Sequence, residues 1–299
     1  MEYSKLPFTI AQQIEQLKSR GLKIDDPIFA EHYLSVISYY RLAGYWWPMQ
    51  ADKVTHIFKP EARFETVIDL YNFDRELRLI LFDAIERIEI GVRTKLIYYL
   101  SLDYGPWWFE NPDLFSDKQH HAETLKFIDE ELARSKETFI LDHYKRYTNP
   151  SRPPAWKTLE TVTIGNLSKL YRNLISCEAR TNVAKDLHVP KPEFLTSWFA
   201  AISIVRNICA HHGRLWNKKL PSRIKLFSNT SQPWLNQFPS AANSVKLYTS
   251  LCCVQYLLNA ISPGNHFKQR LKTLLKRYTV VDLAAMGFPQ DWQTEALWS

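Results

Sequence analysis

Residues 67–100 read VIDLYNFDRELRLILFDAIERIEIGVRTKLIYYL. Apolar side chains recur at Leu70, Phe73, Leu77, Leu81, Ala84, Ile88 and Val92, the three-and-four spacing that lines one side of an α-helix. No proline interrupts the run, so the spacing predicts one long amphipathic helix. Asp74 and Arg78, Asp83 and Arg87, and Glu89 and Arg93 stand four apart with the acid first, the favourable order for pairs on a helix surface. Glu89 is harder to place on the surface, because it shares a side with Ile85, Val92 and Leu96, and a carboxylate on a buried side needs a partner. A structural ion pair with Arg93, or with an arginine of another helix, is its first reading. A catalytic carboxylate is the other.

The same period continues outward in both directions. Residues 9–22, TIAQQIEQLKSRGL, read as a capped helix ended by Gly21, and 25–48, DDPIFAEHYLSVISYYRLAGYWWP, as a second helix broken by Gly44 and Pro48. Tyr40, Arg41, Tyr45, Trp46 and Trp47 follow one another closely there. Such a group either stacks bases or plugs the place where helices dock, and the plug is the first reading. Residues 104–115, YGPWWFENPDLF, and 146–156, RYTNPSRPPAW, flank a charged helix around His120 to Lys136. The second of them reads as a linker or exposed loop, and both His120 and His121 as facing solvent. Helical segments follow after Thr163 and Gly165 and over Leu247 to Ile261. The closing 279–298, TVVDLAAMGFPQDWQTEALW, is apolar enough that it should pack against the rest. The expectation is an all-α protein with no parallel sheet.

Composition narrows the function classes. Of 299 residues, 45% are hydrophobic and 14% aromatic, enough for a substantial core. Only 8 are Gly, and no Gly-rich phosphate loop occurs. Cys177, Cys209, Cys252 and Cys253 lack zinc-site spacing, so no metal or cofactor is expected and reduced thiols in a cytoplasmic protein are the simplest reading. The opening MEYSKLPFTIAQQIEQLKSRG places charges where a signal peptide needs an apolar run, and Leu247 to Ile261 is too short to span a bilayer, so no membrane partner is expected. A formal charge of +7 leaves a polyanionic partner open.

Residues 191–217, KPEFLTSWFAAISIVRNICAHHGRLWN, carry an apolar stripe at Leu195, Trp198, Ile202, Val205 and Cys209, which His212 would join as a core histidine. On a helix continuing through this run, Asn207, His211 and Arg214 fall opposite the stripe, with Arg206 on its flank. These side chains can bind phosphate, donate paired hydrogen bonds and titrate near neutrality. From the residues alone, a functional site, a solvated face and a salt-bridged interface all remain open.

Arg206 and His211, four residues between them and Asn207 next to the arginine, resemble the Arg…His signature of HEPN-domain proteins, a largely helical superfamily with many metal-independent ribonucleases. The wider chain resembles the Abi family of bacterial abortive-infection proteins, of the AbiD and AbiF kind. The likeness runs through YLSVISYYRLAGYWWP, LYNFDRELRLILFDAIERIEIGVRTKL, YGPWW, PPAWKTLETVTIGNLSKLY, SWFAAISIVRNICAHHGRLWN and MGFPQDW, in the family's order. It implies a HEPN-like helical bundle over 61–299 with an additional N-terminal helical region, 1–60, packed on it.

It also implies phage defence by RNA cleavage. Cleaving RNA without a metal needs a base for the ribose 2′-hydroxyl and a cation for the charge that builds on the phosphate. His211 suits the first role and Arg206 the second. Asn207 would orient the histidine or hold a phosphate oxygen, and Arg214, Asn217, Lys218 and Lys219 would extend the RNA-binding surface, with Arg41 a further candidate. Whether Arg41, Glu89 or Glu160 joins the site is not legible. Residues five apart diverge by about 140° on a straight helix, so one chain cannot aim both Arg206 and His211 at one phosphate there unless the helix is distorted. HEPN enzymes commonly build the site across a two-fold interface, hence an expected homodimer. The alternative is a non-catalytic RNA- or protein-binding module that senses infection or is held by an antitoxin-like RNA or protein. The basic segment 267–278 would supply binding charge there, although a solvated face is its first reading.

Overall fold

The computed structural model describes residue 2, residues 6–221 and residues 223–299. In chain order the helices are α1 (Ile10–Ser19), α2 (Pro27–Ile37), α3 (Tyr39–Trp46), α4 (Phe64–Tyr104), α5 (Lys118–Arg134), α6 (Thr138–Arg146), α7 (Ala155–Thr158), α8 (Ile164–Asn173), α9 (Glu178–Asp186), α10 (Pro192–Ala210), α11 (Leu247–Ile261) and α12 (Phe267–Arg277). Among the described residues the only β pairing is isolated bridges. The protein is all-α. No described helix is long and apolar enough to cross a membrane.

The chain divides into two compact units, one of residues up to Leu79 with Arg270–Asp282, the other of Ile80–Gln269 with Leu283–Ser299. In the first, α1 starts on a capping box, with Thr9 and Gln12 each bonding the other's backbone N–H. It ends before Gly21, whose φ of +90° few other residues tolerate. The second predicted helix breaks at Ser38 (φ 71°), not at Gly44, through which α3 runs. Ser38 Oγ accepts from the Arg41 N–H and so restarts the helix. Tyr45 and Trp46 are buried, Trp47 is half exposed and Tyr40 lies open to solvent, so the plug reading holds for the first two.

Beneath that plug the surface reading of Asp74 and Arg78 is overturned. Both are buried, Asp74 completely. Arg78 donates to Asp74, and the Tyr45 hydroxyl donates to Asp74 Oδ2 at 2.7 Å. Burial and then the carboxylate push the Tyr45 hydroxyl far above its ordinary range, so it stays a donor. Asp74 follows Leu70 by four and precedes Leu77 by three, which puts it on the apolar side of α4. The Asp83 and Arg87 pair is half exposed, as expected of a surface pair.

In the second unit α10 packs on α8, α9 and α11. Leu195, Trp198, Phe199, Ile202 and Val205 of α10 are fully buried, as are Ile85, Ile88, Val92 and Leu96 of α4. The twelve residues from Leu247 to Leu258 of α11 are all buried. A Cβ on Gly91 would lie 2.7 Å from the Ile261 side chain, so α4 carries glycine where α11 comes closest. Met286, Phe288, Trp292 and Trp298 of the C-terminal segment are buried in this unit. His121 is not solvent-facing: it stacks on Phe115 with centroids 4.0 Å apart, and its Nε2 meets the Phe109 carbonyl at 2.8 Å. The proline-rich loop is exposed through Ser151, whereas Pro153 and Pro154 are buried.

Candidate functional site

The apolar stripe drives α10 into the core, and its last turn brings Arg206 and Asn207 out of it. The helix then stops at Ala210, earlier than its apolar pattern predicts. Gly213 N–H donates to the Ile208 carbonyl at 2.8 Å and His212 N–H to the Cys209 carbonyl at 3.1 Å, the paired bonds of a Schellman stop. His212 fills the left-handed position of that stop with φ 54°. It is exposed and does not join the buried stripe. His211 is the capping residue, with its own N–H bonded to the Asn207 carbonyl at 3.0 Å.

Past this stop the chain runs as turn and loop. Leu215 and Trp216 are buried and Arg214 partly so, Asn217 adopts φ 51°, and Lys218 and Lys219 are exposed. The side chains of Asn207, His211, Arg214, Lys218 and Lys219 make no hydrogen bond or ion pair among the described residues. Polar groups left open in this way can all face a ligand.

Arg206 is held differently. Its Nε lies 3.9 Å from Glu89 Oε2, an ion pair too long for a hydrogen bond, and its guanidinium stands 5.9 Å from the Phe82 ring. Glu89 also accepts from Arg93 Nη2 at 2.9 Å, and Arg93 reaches Glu160 at 3.4 Å and donates to the Val162 carbonyl at 2.9 Å. Both arginines expected as partners of Glu89 are therefore present. The side chains of Glu89 and Arg93 are 13% and 9% exposed, so this pair is poorly screened by water. Glu89 and Glu160 thus connect to Arg206 through α4 and the turn Leu159–Thr161. Arg41 stands exposed on α3, in the other unit.

Glu89→Gln keeps an acceptor for Arg93 while removing the charge that two arginines share. The expected cost is about 1.5–3 kcal/mol, the range for hydrogen bonds to charged groups, read from the urea midpoint. A loss below about 0.5 kcal/mol would mean that the shared charge contributes nothing to folding.

Among the described residues no group of three or more His, Cys, Asp or Glu could hold a metal ion. None of the four cysteines forms a disulfide. Burial pushes the thiols of Cys252 and Cys253 well up, which leaves them inert.

No curated protein and no solved structure matches the chain. The family model described as Abi-like protein matches residues 32–217. That span starts in α2, takes in α4 with Glu89 and Arg93, and ends on Asn217, just past the stop of α10. It covers more than half of the chain, and the protein belongs to the Abi-like family.

Proposed function

We propose that this protein acts in abortive infection as a metal-independent endoribonuclease of the HEPN type. The observation that carries the reading is the end of α10. There the side chains of Asn207 and His211 are exposed with no hydrogen bond or ion pair among the described residues, beside an arginine that Glu89 holds from behind. In this reading His211 removes the proton from a ribose 2′-hydroxyl, and the oxygen attacks the adjacent phosphorus. Arg206 takes the charge that builds on the non-bridging oxygens through its fixed fork. The 5′-oxygen leaves with a proton, and the other fragment ends in a 2′,3′-cyclic phosphate. Asn207 holds a phosphate oxygen, while Arg214, Asn217, Lys218 and Lys219 receive the flanking backbone. A two-fold pairing of chains supplies the arginine of one protomer and the histidine of the other to each scissile phosphate.

The test is incubation of purified protein with cellular RNA in EDTA, with analysis of fragment ends and of mass by light scattering. Cyclic-phosphate ends from a dimer are expected. Fragments that vanish in EDTA would overturn the metal-independent step. No cleavage by a folded dimer would leave a binding module held by an RNA or protein partner.

A further inference from the structure

About half of the aromatic side chains are buried, among them Trp108, Trp198, Trp298, Tyr171 and Tyr248. The pair of helices α6 and α7, which pack together, with the residue that ends α6, presents three rings outward. Tyr144, Tyr147 and Trp156 are 41%, 54% and 50% exposed. An exposed group of rings forgoes a large area of burial and marks a surface made for a partner.

The charge around the rings identifies the partner. Two of the nearby acids are occupied, Asp142 by Lys145 at 3.2 Å and Asp129 by Arg152 at 2.6 Å. Arg146 and Lys157 have no carboxylate partner among the described residues. His143 ties the two helices into one surface. Its ring lies 5.0 Å from that of Tyr147 and 5.8 Å from that of Tyr144. Burial and then the Lys157 charge hold it below the usual imidazole range, so it packs there as a neutral ring.

We infer that Tyr144, Tyr147 and Trp156, with Arg146 and Lys157, form a platform for single-stranded RNA. Flat rings and unpaired cations on the same two helices match successive bases joined by phosphates, and the match needs no particular sequence. A protein partner would also take the rings, but it would need acids for two cations. The platform also leads toward the candidate site. α7 runs directly into the turn Leu159–Thr161, whose Glu160 meets Arg93, and Arg93 shares Glu89 with Arg206. The inference rests on the reading that this protein handles RNA, and not on its cutting RNA.

The experiment uses the full chain carrying His211→Ala, so that the probe stays intact, and fluorescence anisotropy with a short labelled oligouridine. Adding Tyr147→Ala and Trp156→Ala together should weaken binding by roughly a hundredfold, about tenfold for each lost stack. Tyr147→Phe with Trp156→Phe, which keeps two ring faces, should stay within several-fold. Arg146→Ala with Lys157→Ala should flatten the slope of log affinity against log salt by about 1.4, near 0.7 for each phosphate contact. An RNA duplex, whose base faces are covered, should lose nothing when the rings are removed. Undiminished oligouridine binding by the alanine pair would overturn the platform. So would a change of oligomeric mass in place of RNA affinity, which would make the patch a contact between copies of the chain. Cleavage by the parent protein with no binding at these rings would overturn the platform and leave the nuclease reading standing, and binding at the rings with no cleavage would do the reverse.

Discussion

His211→Ala should lower RNA cleavage by about 10²–10⁴-fold, the usual contribution of a positioned acid or base, while the adjacent His212→Gly stays within a few-fold of the parent. The two neighbours differ in what their backbones do. His211 caps α10 through its main-chain N–H, which alanine retains, and its exposed imidazole makes no internal hydrogen bond or ion pair among the described residues. Its loss therefore removes chemistry and leaves the helix end in place. His212 holds the left-handed position of the stop, where a Cβ costs roughly 1–2 kcal/mol. Glycine removes that cost and brings an unfolded-state entropy penalty of roughly 0.5–1 kcal/mol, so the backbone contributions nearly offset each other. Arg206→Lys completes the set, because an ammonium keeps the charge but not the two-pronged fork. It should lose activity without losing fold. Equal losses in His211→Ala and His212→Gly would point to the shape of the helix end and not to an imidazole. Full activity in His211→Ala, with cyclic-phosphate product, would remove His211 as the base.

What the sequence makes legible is whatever local periodicity and capping decide. The 41-residue α4 shows in its apolar spacing and its freedom from proline, and α1 in Thr9, Gln12 and Gly21. The stop of α10 is concealed because its glycine, Gly213, comes one residue after the left-handed position, which His212 occupies. The apolar pattern also runs on through Leu215 and Trp216, which are buried in a turn instead of a helix. The burial of His121 has a visible signal, since Thr124, Ile128 and Leu132 share its side of α5. The same is true of Asp74, where acid-first spacing to Arg78 suits a surface pair equally well. Its hydrogen bond to Tyr45 crosses 29 residues, and no local pattern carries such a partner. Glu89 is more readable, because its place on the apolar side demands a cation and Arg93 stands one turn away. The link to Arg206 is tertiary, as is the packing of α6 on α7, whose segment reads as linker.

Trp198→Ala should be the most damaging truncation near the site, with an expected loss of about 3–5 kcal/mol, a large part of the roughly 5–15 kcal/mol that holds an ordinary domain together. The indole is fully buried. It stacks on Phe227 and Trp234 with centroids 5.3 Å away in each case and meets the Tyr256 edge at 5.4 Å. Its Nε1 donates to the Lys225 carbonyl at 2.7 Å. Phe227, Trp234 and Lys225 belong to the stretch between α10 and α11, which has no helix among its described residues. Without a ladder of its own, that stretch depends on side chains to fix it, and Ser197 adds a second tie by accepting from the Lys225 N–H at 2.8 Å. One tryptophan on α10 therefore anchors the segment whose first residues carry Arg214, Lys218 and Lys219. Alanine leaves a cavity beside three rings and a carbonyl without its donor. Trp198→Phe retains a ring for stacking and loses the hydrogen bond, for an expected cost nearer 1–2 kcal/mol. Urea unfolding measures both losses, and limited trypsin digestion locates them, since cuts at Lys218, Lys219 and Arg223 should appear in the alanine variant before any elsewhere. A loss under about 1 kcal/mol with unchanged trypsin resistance would mean that the stretch after α10 is held by something other than this aromatic cluster.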